Sequence, residues 1–281
     1  MASEDFITLA ALQLSPSSNL SETITTIDSL INSMISQEFT PDCVVLPEYC
    51  FGSVPEWRLA GVKGEDYYLQ VWEQVSRLCH KHRVAIVAGS IPFKTPEGKW
   101  RNRSYLFSSR GKVIGEYDKQ RPFRMEKKLG LEPGNRTPIF EHNQFNIAIL
   151  VCADLWDARI VNQVAREVDF LAVPTMTTVL DEELIGYGRW AWQSLVAVRS
   201  KEFTVPIVSA DQAIRSPVSG TFTCGASCIA DPAHRFSTGE NPSKQALKVA
   251  QPTSRTALVS TISAKKLEAY RSYRRDVGLL D

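Results

Sequence analysis

A thiol, a carboxylate and an ammonium each stand where a strand expected to be buried stops: Cys152 after Ala-Ile-Leu-Val, Glu48 after Cys-Val-Val-Leu-Pro, and Lys119 after Val-Ile-Gly-Glu-Tyr-Asp. Singly, each is commonplace. Free cysteines are mostly buried packing residues, and a glutamate after proline or a lysine among charges is mostly solvated. Together they are a nucleophile, a base and a cation. A thiol attacks as its thiolate, and a buried carboxylate whose own pKa has been raised can take the proton. A lysine beside them offsets the negative charge and can donate to an oxyanion. In α/β sheets such groups gather at strand ends, so position adds to residue type.

The elements that must position them read from periodicity. Phe145 to Val151 is almost uninterruptedly apolar, as a strand covered on both faces requires, and Ala153 to Asp157 then offers two aspartates as caps for a helix over Ala158 to Glu167. Upstream, Phe6 to Leu14 predicts a strand and Ser18 to Ser36 a helix with Leu20, Ile24, Ile27, Leu30, Ile31 and Met34 on one face. Cys43 to Leu46 predicts a strand that ends at Pro47-Glu48, Glu65 to His82 a helix, and Val84 to Ser90 a strand. Ser104 to Ser108 and Lys112 to Tyr117, joined across Arg110-Gly111, predict a hairpin, and the basic stretch Lys119 to Asn135 reads as loop. Further strands are predicted at Phe170 to Val173, Pro206 to Ala210, Phe222 to Ala230 and Ala257 to Ile262. Helices are predicted around Tyr187 to Lys201 and, with few apolar anchors, over Ala264 to Arg275. βα units combined with a hairpin predict an α/β sandwich built on mixed sheets.

Composition narrows the function classes. A formal net charge of +1, with 43% hydrophobic and 22% charged residues, gives no electrostatic case for nucleic acid or an anionic membrane. Small molecules or proteins are the expected partners. The first residues carry acids where a secretory signal carries basic residues, and no apolar run is long enough to span a bilayer, so a cytoplasmic protein is expected. Six cysteines without a Cys-x-x-Cys pair predict reduced thiols rather than disulfides or a zinc site. The four histidines, 80, 82, 142 and 234, lie outside the expected site loops, which weakens a Cys-His mechanism.

At this point the chain resembles the nitrilase, or carbon-nitrogen hydrolase, superfamily, in which a glutamate, a lysine and a cysteine occur in this order. The resemblance runs through LPEY (Glu48), EYDKQRPF (Lys119) and LVCADLWDAR (Cys152), and MEKKLGLEPGN places a second glutamate at Glu126. It extends from ALQLSP through VRSKEFTVPIVSAD to GASCIADP. Each motif alone is weak; four in order are specific. The resemblance implies a four-layer αββα sandwich of two mixed sheets, one carbon-nitrogen hydrolase domain over residues 1–281. It also implies a homodimer formed through helices near the cysteine and through the carboxy-terminal segment 264–281. The implied substrate is a small amide, with no metal or organic cofactor. Ala153 stands where many relatives carry a larger residue, and Phe203 and Pro174 to Thr177 also depart from the pattern, all in places where substrate would be held.

Without the resemblance Glu126 reads equally well as a solvated acid between Met125 and two lysines; with it, Glu126 lies near Lys119 and orients the ammonium. For the substrate, the Ala153 N–H would hold an oxyanion. Cys50 to Trp57, Trp156, Pro174 to Thr178 (with Met176) and Tyr187 to Trp192 would wall the pocket. Arg159, Arg189 and Arg215 are the nearby cations, and Arg159, expected one helical turn or so beyond Cys152, is the best candidate to grip a carboxylate. An ω-amide or N-carbamoyl substrate is therefore expected. An acyl transferase on the same scaffold, or a catalytically silent scaffold protein, are the alternatives.

Overall fold

The computed structural model describes residues 6–15, 19–52, 64–214, 220–234 and 246–280. It opens with strand β1 (Phe6–Gln13), helix α1 (Leu20–Ser36), strand β2 (Cys43–Val45), helix α2 (Gly64–His82) and strand β3 (Ala85–Val87). Parallel strands need a crossover, and both helices supply one: β1 pairs parallel with β2, and β2 with β3. Then come β4 (Ile91–Lys94), β5 (Trp100–Phe107) and β6 (Val113–Asp118), all antiparallel meander. With β15 (Thr256–Ser263) antiparallel to β1, these strands form the first sheet, in the order β15-β1-β2-β3-β5-β4 with β6 on β5.

The second sheet uses β7 (Ile139–His142), β8 (Phe145–Ile149), β9 (Phe170–Pro174), β11 (Ile207–Ala210), β13 (Cys228–Ala230) and β14 (Leu247–Val249), ordered β14-β13-β11-β9-β8-β7. A short ribbon pairs β10 (Thr178–Val179) with β12 (Phe222–Thr223).

Burial shows how the layers stack. Along β1, Ile7, Leu9 and Ala11 belong to the core shared with Ile147, Ile149, Leu171 and Val208 of the second sheet, whereas Ala10 and Leu12 pack with Ile27 and Ile31 of α1 and Val75 of α2. The alternation with period two thus sends one half of a wholly apolar strand to a sheet and the other half to helices. On the far side, Ile160 and Val161 of α4 (Ala158–Asn162) and Trp192 and Val196 of α5 (Ile185–Phe203) cover the second sheet. The order is helix, sheet, sheet, helix, which is the four-layer αββα sandwich expected. Among the described residues no helix is long and apolar enough to cross a membrane.

Several local expectations are corrected. The stretch over 119–135 contains a helical turn, α3 (Met125–Lys128). The helix expected over 158–167 stops at Asn162 and is preceded by a 3-10 turn from Cys152 to Trp156. The region 222–230 holds two strands, not one. Strands β4 and β14 were not expected; both are edge strands, and β4 contains Pro92, a residue that reads against a strand except at an edge. The carboxy-terminal helix α6 (Ala264–Asp276) starts one residue after β15, with Ser263 as its cap. It docks through buried Leu267 and through Arg271, whose guanidinium donates to the carbonyls of Thr204 and Val168.

Candidate active site

Glu48 and Thr175 meet where the two sheets end on the same side. The Glu48 N–H donates to the Thr175 carbonyl (3.1 Å), and the Gln212 side-chain amide donates to the Glu48 carbonyl (2.8 Å). The backbone of a residue following β2 is therefore fastened by residues following β9 and β11. Tyr49, next in sequence, is held at φ 55, in the left-handed region that favours glycine.

Lys119 follows β6 and is 2% exposed, as is Glu48; Glu126, on α3, is 6% exposed. The Lys119 ammonium donates to Glu48 Oε1 (2.8 Å) and to Glu126 Oε2 (2.9 Å). Glu126 also accepts from the Tyr49 hydroxyl (2.6 Å) and the Phe123 N–H (2.5 Å). This is no solvated acid. Burial alone would raise the Glu126 carboxyl, but the Lys119 charge and the Tyr49 hydroxyl prevail and hold it below the usual range. For Lys119, burial favours the neutral amine, yet the two carboxylates outweigh it and keep the ammonium charged. Glu48 differs: burial pushes its carboxyl up to about 7, opposed by Lys119 and reinforced by the negative charge of Glu126. Two carboxylates sharing one cation are thus driven apart in proton affinity.

Cys152 follows β8 at φ 48, again in the left-handed region, at the head of the 3-10 turn. A non-glycine residue there costs on the order of 1–3 kcal/mol, and the neighbouring contacts must hold it. Asp154 does much of that. Wholly buried, its carboxylate accepts from the Val151 N–H (3.0 Å), the Tyr117 hydroxyl (2.7 Å) and the Arg121 N–H (2.7 Å), so it ties the cysteine's turn to the residues flanking Lys119. The Cys152 sulfur neighbours Glu48, the Thr175 hydroxyl and the Met176 N–H; burial and the Glu48 charge together push the thiol above its ordinary pKa. All six cysteines are free, and Cys152 is the one that is not fully buried.

The structure brings Glu48, Lys119, Glu126 and Cys152 together, with Ala153 buried beside the sulfur and Met176 packed against Tyr49 and Leu131. It does not bring Arg159. That side chain is 88% exposed and grips Asp157 through both ends of its guanidinium (3.0 and 2.8 Å), as adjacency on a tight cap dictates. Trp156 is 55% exposed, Tyr187 and Trp190 lie at the surface, and Trp192 is buried with its indole N–H on the Ser209 hydroxyl. Arg189 is committed to the carbonyls of Gly225 and Ala250. Trp57 and Arg215 lie outside the described residues.

Sequence reading missed Asn102, on β5. Its Nδ2 donates to both Glu48 Oε1 (2.8 Å) and Glu126 Oε1 (2.7 Å). The available signal was one amide between two arginines at the start of an apolar run, which does not single out a site residue. The arrangement as a whole can take a proton from a thiol, hold a buried cation beside it, and keep a third N–H of Lys119 for a negative oxygen.

If Glu126 orients Lys119, Glu126→Gln lowers kcat by at least about tenfold, because an amide turns its NH2 toward two of the four donors and loses the charge. Steady-state kinetics check this, and an unchanged kcat would remove Glu126 from the working site.

The sequence matches the carbon-nitrogen hydrolase family over residues 8–259. Compared with curated protein sequences, the chain matches none. Among solved structures it is similar to the C. elegans NitFhit protein (TM-score 0.78, 16% identity), with 97% of this chain covering 64% of that one. It is also similar to Saccharomyces cerevisiae Nit3, a member of branch 10 of the nitrilase superfamily (TM-score 0.79, 19% identity, 100% of this chain and 98% of that one). A third is a double mutant of the amidase from Nesterenkonia sp. AN1 in complex with acrylamide (TM-score 0.70, 18% identity, 99% of each chain). The match across residues 8–259, nearly the whole chain, places it in the carbon-nitrogen hydrolase family.

Proposed function

We propose that the protein hydrolyses the C–N bond of a small linear amide through a thioester on Cys152. The observation that carries this reading is the buried Glu48–Lys119–Glu126 triangle beside the one incompletely buried thiol. Both fixed donors to Glu48 land on Oε1, so Oε2 serves the thiol proton. Ionised Glu48 takes that proton and the thiolate attacks the amide carbonyl carbon. Lys119, with the N–H of Ala153, holds the oxyanion. Glu48 returns the proton to the departing nitrogen as ammonia or amine leaves. A water that Glu48 then deprotonates attacks the thioester, freeing the carboxylic acid and the thiol.

Arg159 is spent on Asp157, so the expected carboxylate grip loses its support, and neutral amides stand beside ω-amides and N-carbamoyl amino acids as substrates. The test is ammonia release from such a panel, with intact-protein mass measured in parallel. Ammonia without an added acceptor supports hydrolysis; turnover only with an added amine selects acyl transfer. No adduct and no product across the panel would overturn the reading.

Because the base works ionised and its carboxyl is raised, kcat/KM should fall as pH drops through about 7. The same shift makes Glu48 a cost to folding above that pH, since a raised carboxyl contributes stability that is lost as pH rises through its folded value. A pH–rate profile flat from 5.5 to 8.5 would exclude Glu48 as the base.

Six free cysteines suit the cytoplasmic placement expected for a working thiol. Leu184, Tyr187, Trp190 and Val198, exposed on and just before α5, support the homodimer that the resemblance implies. Sedimentation as a monomer at micromolar concentration would count against it.

A further inference from the structure

Asn102 is 2% exposed, and three contacts tie it to the site: its one NH2 group reaches both carboxylates, and its backbone carbonyl accepts from the Lys119 N–H at 2.9 Å. The period of β5 places it opposite its neighbours. Arg101 and Arg103 turn to the other face, where Arg103 binds Asp118 and Glu116 and lies over the Phe93 ring. The amide can sit only one way round, since its oxygen would repel both carboxylates. That oxygen, Oδ1, is buried and has no hydrogen-bond partner among the described residues. Leucine would fill the space without stranding a carbonyl, so the position gains from asparagine only what the NH2 group gives.

We propose that Asn102 is a positioning residue that sets the basicity of Glu48: by lending one N–H to each carboxylate, it keeps Glu48 ionisable beside a second buried negative charge. The inference rests on the reading of Glu48 as the base. Glu48 is faced by Lys119 at the end of β6, Glu126 on α3 and Cys152 after β8, while the Tyr49 hydroxyl is committed to Glu126. Lys119 is the single cation among them and is already bound to both carboxylates. Loss of the amide therefore leaves the ionised form of Glu48 with one donor fewer, which favours the protonated acid.

The experiment uses a probe that needs no substrate. Alkylation of Cys152 in the full chain by iodoacetamide is followed against pH and located by peptide mass mapping. In the wild type the rate should rise as Glu48 ionises. In Asn102→Leu the midpoint should move up by about one pH unit or more, making alkylation about tenfold slower on the acid side and nearly equal at high pH. Asn102→Asp, close in shape, should move the midpoint the same way, because a third carboxyl joins the cluster. A midpoint that stays put, or a rate lowered equally at every pH, in either folded variant overturns the proposal. Failure of both variants to fold would assign Asn102 to the architecture instead, which also overturns it. Amide hydrolysis is measured alongside. No amide turned over by the wild type, with the alkylation shift intact, removes the amidase reading and keeps Asn102; turnover with an unmoved midpoint removes Asn102 alone.

Discussion

Cys152→Ser leaves a folded protein whose turnover of any accepted amide falls by at least about 10⁴-fold, the scale seen when a covalent nucleophile is lost. The reason is the mismatch of base and nucleophile. A carboxyl at about 7 takes a thiol proton in concert with attack, but a serine hydroxyl binds its proton far more tightly and offers a poorer nucleophile. Folding should be unaffected, because the oxygen is smaller than the sulfur and the backbone at φ 48 is held by Asp154 through Val151, Tyr117 and Arg121 rather than by the side chain that changes. Single-turnover ammonia release and a thermal melt check both halves. Activity within tenfold of wild type would sink the thioester route.

Lys119→Met should be less severe for activity and far worse for stability. The methionine fills the space but leaves Glu48 and Glu126 buried without a cation, and breaking a buried ion cluster from one side costs about 3–5 kcal/mol. For a chain of this size that is a fall in melting temperature on the order of 10 °C. The pH dependence gives the signature. Without Lys119 both carboxyls have folded-state pKa values above their unfolded ones, so the deficit is small below the unfolded carboxylate value and grows as pH rises through the folded ones. Melts at pH 4.5 and 8 compare the two regimes; an equal loss at both would mean that Lys119 stabilises by packing alone. Activity should fall by at least about 10²-fold, as when an oxyanion donor is removed.

What the sequence disclosed followed from how each feature is encoded. Continuous apolar runs cut short by a polar residue identify the buried strands that end before Glu48 and Cys152; Lys119 follows β6, whose Val113, Ile114 and Glu116 are exposed, so it was legible only from its company and from the resemblance. Glu126 needed the resemblance, since nothing in Met-Glu-Lys-Lys says that its acid turns inward while its lysines turn out. Asp154 was read as a helix cap; it does reach back to the Val151 N–H, but the contacts with Tyr117 and Arg121 join two sheets and have no local signature. Asn102 was hidden for the same reason, one inward residue in a strand whose neighbours are charged. Arg159 failed by direction: spacing from Cys152 fixed how near it could be, while Asp157, two residues back, fixed where its guanidinium went.

The fastening of Glu48 by residues from the other sheet also fixes when a reactive site can exist. Its carbonyl waits for Gln212, 164 residues later, and its carboxylate for Lys119, 71 residues later. The sheet edge beside β1 waits for β15, whose Thr261 meets Thr8 across 253 residues. Contacts at such separations close late, because the entropy of the intervening chain is lost before they form. A ribosome-bound chain that has emerged only as far as Cys152 lacks Thr175 and Gln212, which fasten the Glu48 backbone, and every strand of the second sheet after β8. It acquires a nucleophile only when the second half of the sandwich arrives, so the emerging polypeptide has no assembled thiol chemistry with which to attack its surroundings.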